Sequence, residues 1–256
     1  VLLGPLLART GEAKVALPGG CAIGTRPVDL HLSALRRMGA EISLSEGFII
    51  AKAPGGLKGA SISMSKVTVT GTENIMMAAT LAAGVTTIEN AAREPEVVDL
   101  ANLLNAMGAK VKGAGTDTIT IEGVKALRSC EYSVLPDRIE AGTFLTAAAI
   151  TGGKITVEKV IPSDLKIVLQ SFKEAGAKVS QTKDTVTLDM YKRKLQAVTV
   201  ETGEYPGYPT DMQAQMLVLN SVSDGVGMIT ETIFENRFMH VPELQRLGAE
   251  IRVKGD

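Results

Sequence analysis

The chain has 256 residues, 45% of them apolar, 4% aromatic and none Trp, so small aliphatic side chains must fill the core of one large domain or two ordinary ones. A formal net charge of −1 argues against an electrostatic nucleic-acid binder, which would show a basic patch. Two cysteines make no disulfide framework, no apolar run reaches the ~18 residues of a membrane span, and no secretory signal is visible, so a soluble cytoplasmic protein is the simplest reading.

The chain opens at Val1, without Met, inside the apolar helical run VLLGPLLART, and it stops at Asp256 directly after the strand-like GAEIRVKGD. Neither end has the look of a natural terminus, and a piece of a longer protein is expected. Next comes PGGCAIGTRPVDL, Pro18 to Leu30. Gly19, Gly20 and Gly24 free the backbone around Cys21, as a mobile or ligand-approaching loop requires. Arg26 follows five residues on, where a cation favours the thiolate and can also hold a phosphate. A lid loop with a reactive thiol is predicted; the alternative for Cys21 is a small buried packing residue.

From there a pattern recurs: an amphipathic helix, a Gly-Ala pair, then a strand. The four copies are LSALRRMGAEI, LANLLNAMGAKV, LQSFKEAGAKV and VPELQRLGAEI, with Gly39, Gly108, Gly176 and Gly248 spaced by 69, 68 and 72 residues. Leu100, Leu103, Leu104 and Met107 fall at i, i+3, i+4, i+7 and predict a buried stripe. A glycine past the last turn predicts a left-handed stop. Thr118 to Ile121 alternate as a half-exposed strand should.

A second helix type lies between these copies. Thr70-Gly-Thr-Glu73, Asp137-Arg-Ile-Glu140 and Thr210-Asp-Met-Gln213 open it as capping boxes or their Asp relative. The Ala-rich bodies that follow are apolar nearly all round, which predicts burial, and they lead into the strands VTTIEN, KITVEKV and MITETIF. The result is α+β repetition with a period too long for a common solenoid. Leu135-Pro136 breaks the pattern and predicts a domain boundary, giving residues 1–135 and 136–256.

PGGCAIGTRPVDLH, NAAREPEVVDLANLL, LPDRIEAGTF, PTDMQAQ and ITETIFENRFMHVPEL together resemble the UDP-N-acetylglucosamine enolpyruvyl transferase family of the enolpyruvyl transferase superfamily, over essentially the whole chain. The resemblance implies an inside-out α/β barrel fold: two domains, each of three βαβαββ units around buried helices. About four of the six units would be present, with residues 1–135 as the UDP-sugar and cysteine-loop domain. It implies transfer of the enolpyruvyl group of phosphoenolpyruvate to the 3′-hydroxyl of UDP-N-acetylglucosamine with release of phosphate, the first committed step of peptidoglycan synthesis. No metal or organic cofactor is implied. Such chemistry needs a proton donor to C3 of phosphoenolpyruvate, a base for the sugar hydroxyl, and cations for phosphate and carboxylate.

Residue by residue, the resemblance implies that Cys21 is the proton donor, open to alkylation by fosfomycin, and that Arg26 faces the phosphate. Pro27, Val28, Asp29 and Leu30 match the UDP-sugar segment, although Asp29 reads equally as a first-turn carboxylate. Lys66, Val67, Thr68 and Val69 match a segment contacting UDP, with Thr70 where many relatives carry glycine. Asp211 matches the general base, and locally it also reads as a first-turn residue of a helix capped by Thr210. Ile233 matches an apolar contact of the sugar nucleotide. Glu94, Glu96, Asp137, Glu140 and Arg237 lie in motif positions and read as domain-interface or cleft-supporting groups, or as caps and surface charges. His31 and His240 lack metal-like or triad-like spacing. GGLKGA lacks the strand-turn-helix setting of a dinucleotide fingerprint.

The resemblance also implies a preceding Lys-Asn pair, a further preceding arginine and a following arginine, so these 256 residues alone are expected to be inactive. Three readings compete. One is the sister synthase acting on shikimate 3-phosphate, against which the cysteine loop and RPVDL argue. The second is a non-catalytic sugar-nucleotide binding module. The third is a fragment that folds by self-association, through open strand edges.

Overall fold

A computed structural model describes residues 1–17 and 28–255. They divide into two compact units, one of residues 1–17 and 28–135 and one of residues 136–255.

In the first unit, α1 (Leu3–Thr10) leads into β1 (Glu12–Ala16). After α2 (Asp29–Arg37) come β2 (Glu41–Ser45) and β3 (Phe48–Lys52), and the sheet order is β1-β3-β2, antiparallel throughout. The next stretch is a complete βαβαββ unit: β4 (Ser61–Ser63), α3 (Val69–Ala79), β5 (Val85–Glu89), α4 (Pro95–Ala106), β6 (Lys110–Lys112) and β7 (Thr118–Glu122). Its sheet runs β4-β5-β7-β6, with β4 and β5 parallel and the other pairs antiparallel.

The second unit repeats the scheme. After α5 (Arg138–Ile150) come β8 (Lys154–Glu158), α6 (Lys166–Glu174), β9 (Lys178–Gln181) and β10 (Thr185–Asp189), in the order β8-β10-β9. Then β11 (Val200–Glu201), α7 (Gln213–Ser221), β12 (Ile229–Thr230) and α8 (Val241–Arg246) start a further copy, with β11 and β12 parallel as β4 and β5 are. Among the described residues the four sheets are open and none closes into a barrel.

The Gly-Ala pairs explain why four helices stop alike. Gly39, Gly108, Gly176 and Gly248 have φ of 95°, 98°, 94° and 98°. Each glycine N–H donates to the carbonyl three residues back, and the following alanine N–H to the carbonyl five back, as in Gly39 to Arg36 and Ala40 to Leu35. This is the Schellman closure, which a left-handed glycine permits without a Cβ clash.

Helix α3 is the inner element of the first unit. Ile75, Met76, Ala78 and Ala79 are fully buried, and α1, α2 and α4 all pack on it. In the second unit Leu145, Phe172, Met212, Met216 and Leu219 form the centre. Helix α5 departs from the expected full burial: Glu140, Thr143, Phe144 and Ala147 face solvent as an i, i+3, i+4, i+7 stripe.

Four local expectations need correction. The stripe of α4 is deepest at Val97, Ala101 and Leu104, while Leu100, Leu103 and Met107 are half-buried, because the helix starts at Pro95 and turns that face inward. Thr68, not Thr70, caps α3. The run MITETIF yields only the two-residue β12 before its backbone turns toward a carboxylate. After Gly248 no strand forms among the described residues. In the other three copies that strand pairs with the one after it.

Candidate functional site

In the first unit the sequence-predicted residues gather at two helix N-termini. Val28 is the N-cap residue of α2, and Asp29 and Leu30 form its first turn. Exposed Lys66 and half-buried Val67 precede α3, Thr68 caps it and Val69 is its first residue. The Thr68 Oγ1 accepts from the Gly71 N–H at 3.2 Å. A Cβ at Gly71 would collide with the Thr68 methyl, so the cap depends on glycine there. Val28, Leu30, Val67 and Val69 all lean on the same core, which fixes both helix starts from below.

A side-chain latch ties these starts together. Buried Asn74 accepts from the Gly4 N–H through Oδ1 at 2.8 Å. That bond fixes the amide orientation, so Nδ2 faces His31 Nδ1 at 3.2 Å and must donate to it. His31 is therefore neutral, with its proton on Nε2. Burial is the main cause holding the His31 pKa below its ordinary 6.5, and Asp29 opposes it. His31 is the third residue of α2 and Asn74 the sixth of α3, so the bond joins the first turn of one helix to the second turn of the other. Two helix N-termini held in this way are suited to an anion such as a diphosphate.

A half-buried carboxyl, Glu73, sits on the same helix. Its pKa is raised, by burial first and then by Glu96 and Glu94. Glu94 is the N-cap residue of α4, makes no side-chain cap, and keeps Oε2 buried without a hydrogen bond; Glu96 is in the first turn.

In the second unit Asp211 lies in a 3-10 turn, Thr210–Met212, which runs into α7. Thr210 does not cap α7. Its hydroxyl donates instead to Glu231 Oε2 at 2.8 Å. Asp211 is 62% exposed at its side chain, and its Oδ1 accepts from Arg237 Nη2 at 2.7 Å. The arginine is the less exposed partner, at 19%, with its guanidinium 5.3 Å from the Phe234 ring centre. Ile233 lies in the same loop, partly exposed, with its N–H on Glu231 Oε1. Arg237 also stands beside His240, whose pKa is lowered by burial first and by that arginine second. Below the turn, Gln213 is fully buried without a side-chain hydrogen bond, and burial pushes the Tyr208 phenol well up.

Asp137 caps α5, its Oδ1 accepting from Ile139 and Glu140 N–H at 2.8 and 3.0 Å, and Glu140 is an exposed first-turn residue. Cys21, Arg26 and Pro27 lie outside the described residues. Among the described residues no group of His, Cys, Asp or Glu is placed to hold a metal, and no helix is long and apolar enough to cross a membrane. Sequence reasoning set His31 aside for its spacing and passed over Asn74 and Glu231. The signals were faint: one amide inside NIMMAAT, and one carboxylate inside an alternating run.

The family model for EPSP synthase (3-phosphoshikimate 1-carboxyvinyltransferase) matches residues 1–256. The chain belongs to the EPSP synthase family. Within that family it is 63% identical over 254 residues to the UDP-N-acetylglucosamine 1-carboxyvinyltransferase of Aeromonas salmonicida (strain A449), covering 99% of this chain and 61% of the relative. The protein of the same name from Aeromonas hydrophila subsp. hydrophila gives the same values. The chain thus spans about three-fifths of the length of the curated relatives it matches. Its fold is that of the enolpyruvyl transferase NikO from Streptomyces tendae, with TM-score 0.85 at 23% identity over 98% of this chain and 60% of the other. EPSP synthase from Acinetobacter baumannii matches at TM-score 0.62 and 21% identity, over 89% and 53% of the two chains. The expected enolpyruvyl-transferase architecture of repeated βαβαββ units is therefore the observed one.

Proposed function

We propose that this chain carries the acceptor-binding and proton-transfer part of a UDP-N-acetylglucosamine 1-carboxyvinyltransferase acting in peptidoglycan synthesis in the cytoplasm. The observation that carries the reading is the 63% identity, held over 99% of the chain, to relatives of that name. The paired Asp211 and Arg237 in the second unit, and the coupled helix starts in the first, support it. We assign residues 1–135 to the UDP-sugar and cysteine-loop domain and 136–256 to the second domain.

In this reading Val28, Asp29, Leu30 and the Lys66–Val69 segment, preceded by Pro27, bind the UDP moiety, with helix N-termini facing its diphosphate. Ile233 offers an apolar contact to the sugar. Asp211 accepts the proton of the 3′-hydroxyl as the oxygen adds to C2 of phosphoenolpyruvate, while Cys21 delivers a proton to C3. Arg26 holds the phosphate bidentately. A C3 proton then returns to the Cys21 thiolate as the double bond re-forms and the C2–O bond to phosphate breaks, so phosphate leaves and the enolpyruvyl group stays on the sugar oxygen as an enol ether. Fosfomycin alkylates the Cys21 thiolate.

The test uses the full-length protein that contains this chain. Phosphate release from phosphoenolpyruvate is expected with UDP-N-acetylglucosamine and not with shikimate 3-phosphate. The opposite preference would assign the chain to the sister synthase, and binding of the sugar nucleotide without turnover would make it a binding module. The 256-residue chain alone is expected to release no phosphate.

A further inference from the structure

Glu231 stands where strand β12 ends, and its carboxylate gathers four donors. Oε1 accepts from Thr202 Oγ1 at 3.0 Å, from the Ile233 N–H at 2.8 Å and from the Phe234 N–H at 3.1 Å. Oε2 accepts from Thr210 Oγ1 at 2.8 Å. The neighbouring Thr232 closes the strand end from the other side: its N–H donates to Thr202 Oγ1 at 2.9 Å and its hydroxyl to the Thr202 carbonyl at 2.6 Å. Among the described residues its four donors are all neutral hydroxyls and amides. A carboxylate at this density of donors fixes backbone geometry, because each charge-assisted bond is stronger than its neutral counterpart.

The partners are not scattered. Thr210 precedes Asp211, Ile233 is the proposed sugar contact, and Phe234 supports Arg237, which in turn grips Asp211. The 3-10 turn and the 231–237 loop are thus joined twice, once through Glu231 and once through Asp211. We propose that Glu231 is a positioning residue of the transferase, a clamp that sets Asp211 and Ile233 in the one arrangement that meets the sugar of the acceptor. The proposal rests on the functional reading above for its substrate, and on the geometry alone for the clamp.

The test compares E231A and E231Q in the full-length protein that carries this chain. Alanine removes both acceptor oxygens and with them all four hydrogen bonds. Glutamine keeps Oε1 for the Ile233 and Phe234 amides, and its amide nitrogen can donate to the Thr210 hydroxyl in reversed polarity. E231A is expected to raise KM for UDP-N-acetylglucosamine at least about 10-fold and to lower kcat, with KM for phosphoenolpyruvate moved less than about 2-fold; E231Q is expected to restore most of that loss. A merely structural residue would reduce the amount of folded enzyme without splitting the two KM values. Amide hydrogen exchange gives an independent readout: E231A should lose protection at Ile233 and Phe234, and E231Q should keep it. Wild-type protein without activity on the sugar nucleotide would defeat the functional reading and leave the clamp to the exchange result. Unchanged exchange at both amides in E231A, or equal changes in both KM values, would overturn the proposal.

Discussion

Helices α3 and α5 are both Ala-rich, both open on a side-chain cap, Thr68 and Asp137, and both are the inner helix of their repeat. They differ in what surrounds them. Helices α1, α2 and α4 pack on α3, whereas α5 is packed by α7, by β8 and β10, and by the 3-10 turns at Pro162–Leu165 and Thr210–Met212. Met76 on α3 has no exposure, and Phe144 on α5 keeps 54%. Composition therefore tells that a helix is fit for burial, while the kind of element packed on it, three helices for α3 against one for α5, decides how much of it is buried.

The largest test of that contrast is a pair of truncations. Met76→Ala is expected to destabilise its unit by about 2–5 kcal/mol, the range for a large-to-small change in a packed core. Phe144→Ala in the same chain should stay within about 0.5 kcal/mol. Denaturant unfolding measures both, and similar costs would mean that the α5 stripe is covered in solution.

A second pair sharpens the comparison at the helix starts. Thr68→Ala removes a cap and should cost about 1 kcal/mol. Thr210→Ala removes no cap, so α7 should lose no helicity, and the change should appear instead in acceptor binding. Circular dichroism together with KM for the sugar nucleotide distinguishes them; a matching loss of helicity in Thr210→Ala would restore it as a cap.

The smallest effect concerns pH. Burial lowers the His31 pKa in the folded state, so the unfolded chain takes up its proton first as pH falls through 6.5. Stability is then complete above that value and declines below it, and His240 contributes with the same sign. His31→Asn, whose amide oxygen can replace Nδ1 as acceptor from Asn74, should flatten the decline between pH 7 and pH 5. An unchanged slope would show that the latch does not titrate.

The sequence was informative where a periodic pattern meets a single backbone requirement. The four Gly-Ala stops were legible because only glycine takes a φ near 95° cheaply, and the alternation at Thr118–Glu122 because one face of a sheet is buried. The boundary residues were less so. Thr70 and Thr68 are both hydroxyls before an apolar run, and only the packing of Gly71 on the Thr68 methyl favours the second. Resemblance alone singled out Asp211, and its grip by Arg237 joins positions 26 residues apart, which no local spacing announces. The Glu231 clamp and the Asn74 latch were hidden for the same reason: each depends on partners brought close by the repeat, not by the neighbouring sequence.

In the proposed function Cys21 and the acceptor site operate together. Intact mass of the full-length protein after fosfomycin treatment, with and without UDP-N-acetylglucosamine, tests it most directly. One adduct, located on Cys21 and formed faster with the sugar nucleotide, is the expected result. An adduct elsewhere, none at all, or labelling indifferent to the sugar nucleotide would contradict the account.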